Sequence, residues 1–274
     1  MKFFVRLIKL AISLCYWLAL SAWQFAGKLT GQNPNRKWIL LYYHSIPDAM
    51  RSRFARQMEL VGKISTPVLP DELNALPNGE RKVTITFDDG FQSVMKNALP
   101  ELRARNIPCI VFVPTGYLGR PPAWEMTNEA PERRETIMTG QQLKAVSSQG
   151  LIIGSHTVTH AKLTSLTEKK IREELEASKE QLEKILGHQI DYLSFPHGLY
   201  DARVVELAKK AGYKKVFTID PVTVGNSSEK FVIGRFKADP EDWPLEFRLK
   251  VVGAYAWLPR AFALKRKIRN RILK

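Results

Sequence analysis

The sequence predicts an α/β fold: a mainly parallel sheet, covered on both faces and curled into an incomplete or distorted barrel. Seven short apolar, β-branched or aromatic runs recur, at 38–43, 83–87, 109–113, 151–154, 192–195, 215–218 and 231–233. Helical patterns alternate with them, which is the order expected of parallel strands joined by crossover helices. The runs are also continuously apolar, as in strands buried on both faces, and do not alternate as half-exposed strands do.

Taken in order, the first element is an apolar stretch that precedes the sheet. Leu10 to Gly27 are eighteen consecutive uncharged residues that follow Lys2, Arg6 and Lys9. As a helix they measure roughly 27 Å, just short of a hydrocarbon core of about 30 Å. Three readings stand: an uncleaved anchor, a signal peptide with Ser21 and Ala22 as its small residues, or a peripheral helix with Tyr16, Trp17 and Trp23 at an interface. Phe54, Met58 and Val61 mark the next helix. Residues 114–140 form a long loop carrying Gly116, Gly119, Pro121, Pro122 and Pro131, and a loop of that length within a domain is usually functional.

The clearest helix lies within 164–187, with Ser165 and Glu168 as a capping box, Ile171, Leu175, Leu182 and Ile185 as its apolar stripe, and Gly187 as its stop. Val204, Val205, Leu207 and Ala208 mark another before Ala211-Gly212. The run 247–274 mixes apolar and basic residues around Pro259 and reads as two short amphipathic helices. Its Phe247, Leu249, Val251, Trp257, Leu258, Phe262 and Leu264 need burial, against anionic headgroups or the domain's own flank. The expected organisation is therefore an N-terminal membrane or signal segment at 1–37, a barrel at 38–243 and a basic extension at 244–274.

The formal charge is +15, and its location matters more than its size. Residues 1–37 hold six basic residues and 247–274 hold nine, with no acid in either, so the body between them is formally neutral. That disfavours a nucleic-acid partner, whose grip needs a basic domain face. It points instead to anionic lipid at the two ends. Cys15 and Cys109 fall in apolar stretches and indicate no disulfide framework.

The chemistry-bearing residues collect at the ends of the predicted strands. His44 follows the first, Asp88 and Asp89 the second, His156 and His160 the fourth, Pro196 and His197 the fifth. In parallel α/β folds the C-terminal strand ends form the active face. TFDDG, at 86–90, can place one carboxylate on a metal and the other beside activated water, with a glycine to make the turn; an ordinary turn is the alternative. SHTVTH, at 155–160, sets two imidazoles four residues apart, a spacing that puts both on one helical face and lets them ligate one ion. One Asp and two His make a metal site with open positions for water and substrate.

With TFDDG and HTVTH intact, the chain resembles the polysaccharide deacetylase family, carbohydrate esterase family four, over residues 38–240. The resemblance implies a distorted (β/α)7 barrel and removal of N-acetyl groups from an amino-sugar polymer. It implies Asp88 as general base and Asp89, His156 and His160 as ligands of a divalent ion, zinc above cobalt, nickel or manganese. It also implies the backbone N–H of His197, after Pro196, as an oxyanion donor.

The sequence departs from the family pattern in three places. The third motif, Arg-x-Pro-Tyr-Gly, reads Ser194-Phe195-Pro196-His197-Gly198, so the arginine that steadies the base is a serine. No aspartate partner for that arginine is evident after Thr218, and no histidine follows His197 to serve as late acid. LLYYHSIPD resembles the exopolysaccharide branch, typified by poly-N-acetylglucosamine deacetylases, whose barrel is circularly rearranged and whose acid histidine comes on the first strand. That implies His44, with His197 as the alternative. Trp124 is either a sugar platform or a buried tryptophan. Arg235, at the end of the seventh run, is expected in a salt bridge or in contact with Asp88 or substrate, and His188 at a helix end or on the surface. A deformylase or deacetylase of a lipid-linked amino sugar, and a catalytically silent glycan-binding protein, remain alternative functions.

Overall fold

The central strands are buried on both faces, and the two faces belong to different cores. In β1 (Trp38–Tyr43) all six residues are buried. Trp38 and Leu40 join Ile110, Phe112, Tyr192, Phe217 and Ile233 in one cluster, which fills the inside of the barrel. Ile39, Leu41 and Tyr43 join the larger cluster formed between strands and helices. The period of two along a strand divides the side chains this way, and it explains why the runs read as continuously apolar. The computed structural model describes residues 2–29, 38–75, 80–126, 130–221, 230–259 and 261.

The remaining strands are β2 (Thr66–Pro67), β3 (Lys82–Phe87), β4 (Cys109–Val113), β5 (Ile152–Ser155), β6 (Tyr192–Ser194), β7 (Lys215–Thr218), β8 (Val232–Gly234) and β9 (Phe236–Lys237). All pairings are parallel, in the order β8-β7-β6-β5-β4-β3-β1-β9, with β2 on β3. β8 pairs with β7, and only Arg235 separates it from β9, which pairs with β1 through Leu41↔Phe236 and Tyr42↔Lys237. The last strand thus changes neighbours at Arg235 and nearly closes the barrel. β2 and β9 were not anticipated, since two residues are too few to show a period.

The helices are α1 (Lys2–Leu29), α2 (Arg51–Ile64), α3 (Leu99–Arg103), α4 (Gly140–Ser147), α5 (Glu168–Leu186), α6 (Ala202–Lys210) and α7 (Pro244–Val251). α5 is the clearest, as expected, and Gly187 stops it in the left-handed region at φ 79°. Its cap differs from the expected one. Ser165 lies in a separate turn (Leu163–Ser165) and spends its hydroxyl on the Lys162 carbonyl at 2.7 Å. Leu163 is buried and fixes that turn, so Thr167 becomes the residue that caps α5, accepting from the Lys170 N–H.

Of the two covers expected for the C-terminal run, α7 takes the domain's own flank. It buries Glu246, Phe247, Leu249 and Val251 there and leaves Pro244, Leu245 and Arg248 exposed. The expected second C-terminal helix, including Phe262 and Leu264, lies outside the described residues.

The two candidate caps separate cleanly by mutation. Thr167→Ala should cost about 1 kcal/mol in chemical denaturation, the usual value of an N-cap, and Ser165→Ala under about 0.5 kcal/mol.

Candidate active site

At the C-terminal mouth of the barrel a cavity of about 400 Å³ is lined by Tyr42, His44, Asp88, Asp89, Trp124, Glu132, His156, His160, His197 and Lys237, among others. The strand-end residues singled out in the sequence therefore meet in one place, with the 114–140 loop supplying Trp124 and Glu132. His188 is elsewhere, exposed and 3.2 Å from the Ser147 hydroxyl.

The turns that bring these residues together are strained. Asp89, Thr157, His160 and His197 have φ between 57° and 69°, and among the described residues only Asn106 shares that left-handed state without being glycine. Such conformations cost of order 1–3 kcal/mol each and cluster where surroundings hold side chains for function. At Gly90, φ is 66° and an added Cβ would lie 2.9 Å from a Val113 methyl, so the turn that aims the two aspartates needs glycine there. SHTVTH is not helical, contrary to the spacing argument. β5 ends at Ser155, and the left-handed residues Thr157 and His160 fold the next segment back, so both imidazoles converge from a loop.

Asp88 and Asp89 are both almost fully buried, and each has a different solution to its charge. Arg235 grips Asp88 with both Nη atoms, at 2.7 and 2.8 Å. Burial is the largest single influence and would raise the Asp88 pKa, but the Arg235 charge and hydrogen bonds, with the nearby His156 and His44, together outweigh it and hold the carboxyl below its ordinary value. The guanidinium is itself fully buried, boxed by the rings of Tyr42, Phe112 and Phe217 at 5.0–5.9 Å. It also donates to Ser194 Oγ at 2.7 Å and Thr86 Oγ1 at 3.0 Å. Ser194, the apparent loss in the third motif, is thus a partner of an arginine that arrives from 41 positions further along the chain.

Asp89 has no such cation. Burial and the neighbouring Asp88 push its pKa well above the ordinary range, and its Oδ1 has no hydrogen-bond partner. That oxygen instead faces His156 Nε2 at 3.6 Å and His160 Nε2 at 3.4 Å. Those separations exceed hydrogen-bond length and suit three donors around one ion, because ligands about 2.0–2.1 Å from a tetrahedral centre stand about 3.3 Å apart. His156 Nδ1–H donates to the Ser194 carbonyl at 2.8 Å, which fixes the tautomer and leaves the Nε2 lone pair free. Burial lowers the His156 pKa to about 4 and lowers that of His160 as well, so both rings are neutral and available as ligands. The donor set and the orphaned oxygen fit a divalent cation.

Trp124 stacks on His160 with ring centroids 4.2 Å apart and packs edge-on against Tyr117. One of its faces therefore holds a histidine. His197, half-buried and left-handed, stands edge-on to His160 at 4.7 Å, and Pro196 before it is buried. His44 stands half-buried at the end of β1, on the wall of the cavity. Burial pulls its pKa below the imidazole value, opposed by Asp88 and Glu132.

With this geometry in place, the comparisons with known proteins become decisive. Residues 75–216, just over half the chain, match the polysaccharide deacetylase family. The chain belongs to that family. Its members are hydrolases of carbohydrate esterase family four, and the chain is similar to members of the exopolysaccharide branch. It is 26% identical over 215 residues to the protein YxkH of Bacillus subtilis, covering 74% of this chain and 72% of that one. It is 27% identical over 166 residues to the poly-β-1,6-N-acetyl-D-glucosamine N-deacetylase of Staphylococcus aureus, covering 57% of this chain and only 54% of that enzyme. The solved structure of IcaB from Ammonifex degensii aligns over 81% of this chain and 97% of its own, at TM-score 0.66 and 25% identity. His44 and Arg235 both lie outside the family match, at the two ends that the barrel brings together.

Sequence reasoning left Arg235 between a salt bridge and a contact with Asp88, and it proves to be both. The signal available was the paired absence of the motif arginine and of its aspartate partner. Replacing Arg235 by Gln should cost roughly 10- to 100-fold in kcat/KM, as loss of an outer-shell partner does. Because Arg235 lowers the Asp88 pKa, its removal should move the acid limb of the pH–rate profile to higher pH. An unshifted limb would show that Asp88 is not the titrating base.

Proposed function

We propose that this chain is a metal-dependent N-deacetylase that releases acetate from an N-acetylhexosamine polymer of the poly-β-1,6-N-acetylglucosamine type, in exopolysaccharide or cell-envelope synthesis. The observation that carries the reading is the division of labour between adjacent carboxylates: Asp88 neutralised by Arg235, Asp89 turned toward two imidazole nitrogens. Asp89 Oδ1, His156 Nε2 and His160 Nε2 would hold the cation, and zinc fits one carboxylate with two imidazoles. Bound there, the cation would supply Lewis acidity toward the substrate carbonyl and toward water.

The chain's own residues supply the rest. Asp88, kept ionised, accepts the proton from the attacking water. His197 contributes its backbone N–H to the developing oxyanion, a donor that the tyrosine-to-histidine change leaves intact. His44, across the same cavity, gives a proton to the departing amine, so acetate and a free amino sugar leave together. Trp124 uses one face on His160 and offers its remaining edge to the sugar. The likeness to the staphylococcal enzyme and to IcaB supports a polymeric glycan as substrate. The basic ends suit work at a membrane where such glycans are made or exported.

The test is acetate release from N-acetylglucosamine oligomers by purified protein loaded with zinc. Asp88→Asn should keep one equivalent of metal and lose about 10²- to 10⁴-fold in rate. His156→Ala should lose both metal and rate. Full activity in Asp88→Asn would overturn the mechanism.

His44→Asn gives a second check. It should keep the metal, lower kcat by a similar factor and abolish the alkaline limb, because the protonated fraction of His44 falls as pH rises. An alkaline limb unchanged in that variant would assign the acid elsewhere.

A further inference from the structure

α1 holds the one window among the described residues long and apolar enough to cross a membrane, Phe3–Trp23. It is also docked on the catalytic domain along that same window. Arg6 donates through Nε to Glu246 at 2.7 Å and through Nη2 to the Glu241 carbonyl at 2.8 Å, and its guanidinium stacks over Trp243 at 4.3 Å. Phe3 meets Trp243 edge-on, Ser13 is fully buried and accepts from Trp257 Nε1 at 2.9 Å, and Leu10, Leu14 and Trp17 pack on the main core. Residues 3, 6, 10, 13, 14 and 17 are one face of a helix. Phe4, Ile8, Ile12, Cys15 and Leu18 form the opposite face, and all are exposed.

The socket for Arg6 is built for a cation. Asp242 and Glu246 are buried, and apart from Arg6 the one cation they share among the described residues is Lys250, at 2.7 and 3.5 Å. Two carboxylates and one ammonium leave one negative charge, which Arg6 cancels. Docking and spanning are therefore incompatible. If Phe3–Trp23 crossed the hydrocarbon while docked, Asp242, Glu246 and Lys250 would have to enter it, at about 2.5–3.5 kcal/mol or more for each charged residue. If the helix undocked in order to cross, the acidic socket would lose its cation.

We propose that α1 lies in the plane of an anionic bilayer, with its Phe4, Ile8, Ile12 and Leu18 face in the acyl boundary and Arg6 clasping the catalytic barrel to it. The charge is complementary, since residues 1–37 carry five cations besides Arg6 and no acid. The clasp also orients the enzyme. A cavity of about 480 Å³ beside Arg6 and Lys9 shares Tyr42, Ile219 and Lys237 with the catalytic cavity, so the barrel mouth opens next to the membrane helix. A glycan leaving the bilayer surface would meet the mouth directly. The inference is independent of the deacetylase reading, because its test reads lipid contact and geometry and does not read acetate.

The test uses the full chain on vesicles of phosphatidylcholine with phosphatidylglycerol at 3:1, and on phosphatidylcholine alone. A fluorophore on exposed Cys15, or on Phe4→Cys or Phe25→Cys in a Cys15→Ser background, reports depth through nitroxide-labelled lipids. All three positions should be quenched alike, more by a nitroxide near the headgroups than by one at mid-bilayer, and only on the anionic vesicles. Deep quenching at position 15 with shallow quenching at 4 and 25 would show a spanning helix. Absent quenching, shielding that requires a dimer in lipid-free light scattering, or loss of residues before Ala22 from the membrane-isolated protein would each overturn the proposal. The clasp is read separately by electron-spin distances from Cys15 to Glu206→Cys on α6. They should be narrow in the wild type, broad in Arg6→Glu and narrow again in Arg6→Glu/Glu246→Arg. Equal widths in all three would refute it.

Discussion

Two buried carboxylates stand side by side at the mouth of this barrel, and their mutual repulsion is the constraint that everything around them resolves. Both sit in a low-dielectric site where an uncompensated charge costs several kcal/mol. The structure gives Asp88 a cation of its own and turns Asp89 toward two imidazoles that would hold another. Arg235 takes Asp88 with two hydrogen bonds, while Asp89 is left for an ion between His156 and His160. Without that separation the pair would share protons, and neither a permanently ionised base nor a dedicated ligand would exist.

The barrel's closure follows from the same contact. Arg235 is the one residue between β8 and β9, where the chain passes from pairing with β7 to pairing with β1. Its side chain points into the lumen among Tyr42, Phe112 and Phe217, and its fork reaches Thr86, Asp88 and Ser194 on two other strands. One side chain thus joins the last strand to β3 and β6. His44 enters from β1 at the neighbouring position, so the two ends of the barrel sequence complete a centre whose other members lie in the middle.

Much of this was legible in the sequence because its signals are local. Continuous apolar runs gave the strands, and His44, Asp88, Asp89, His156 and His197 were placed correctly by their position just after a strand. What stayed hidden depends on contacts between distant residues. The Arg235–Asp88 pair spans 147 positions, and nothing near either residue encodes it. SHTVTH has helical spacing, yet left-handed turns at Thr157 and His160 do the converging, and those are held by surrounding structure. The C-terminal run left two covers open, lipid and the domain's own flank, and only distant contacts decide for α7: Glu246 and Asp242 pair with Arg6 and Lys250, and Phe247, Leu249 and Val251 join the main core.

The account rests on Asp88 staying with Arg235 while Asp89, His156 and His160 take the metal. Anomalous diffraction at the zinc edge from zinc-soaked crystals tests this directly. The expected result is a single ion about 2.0–2.2 Å from Asp89 Oδ1 and the two Nε2 atoms, with Asp88 still paired to Arg235. An ion bound by Asp88, or bound away from His156 and His160, would contradict it.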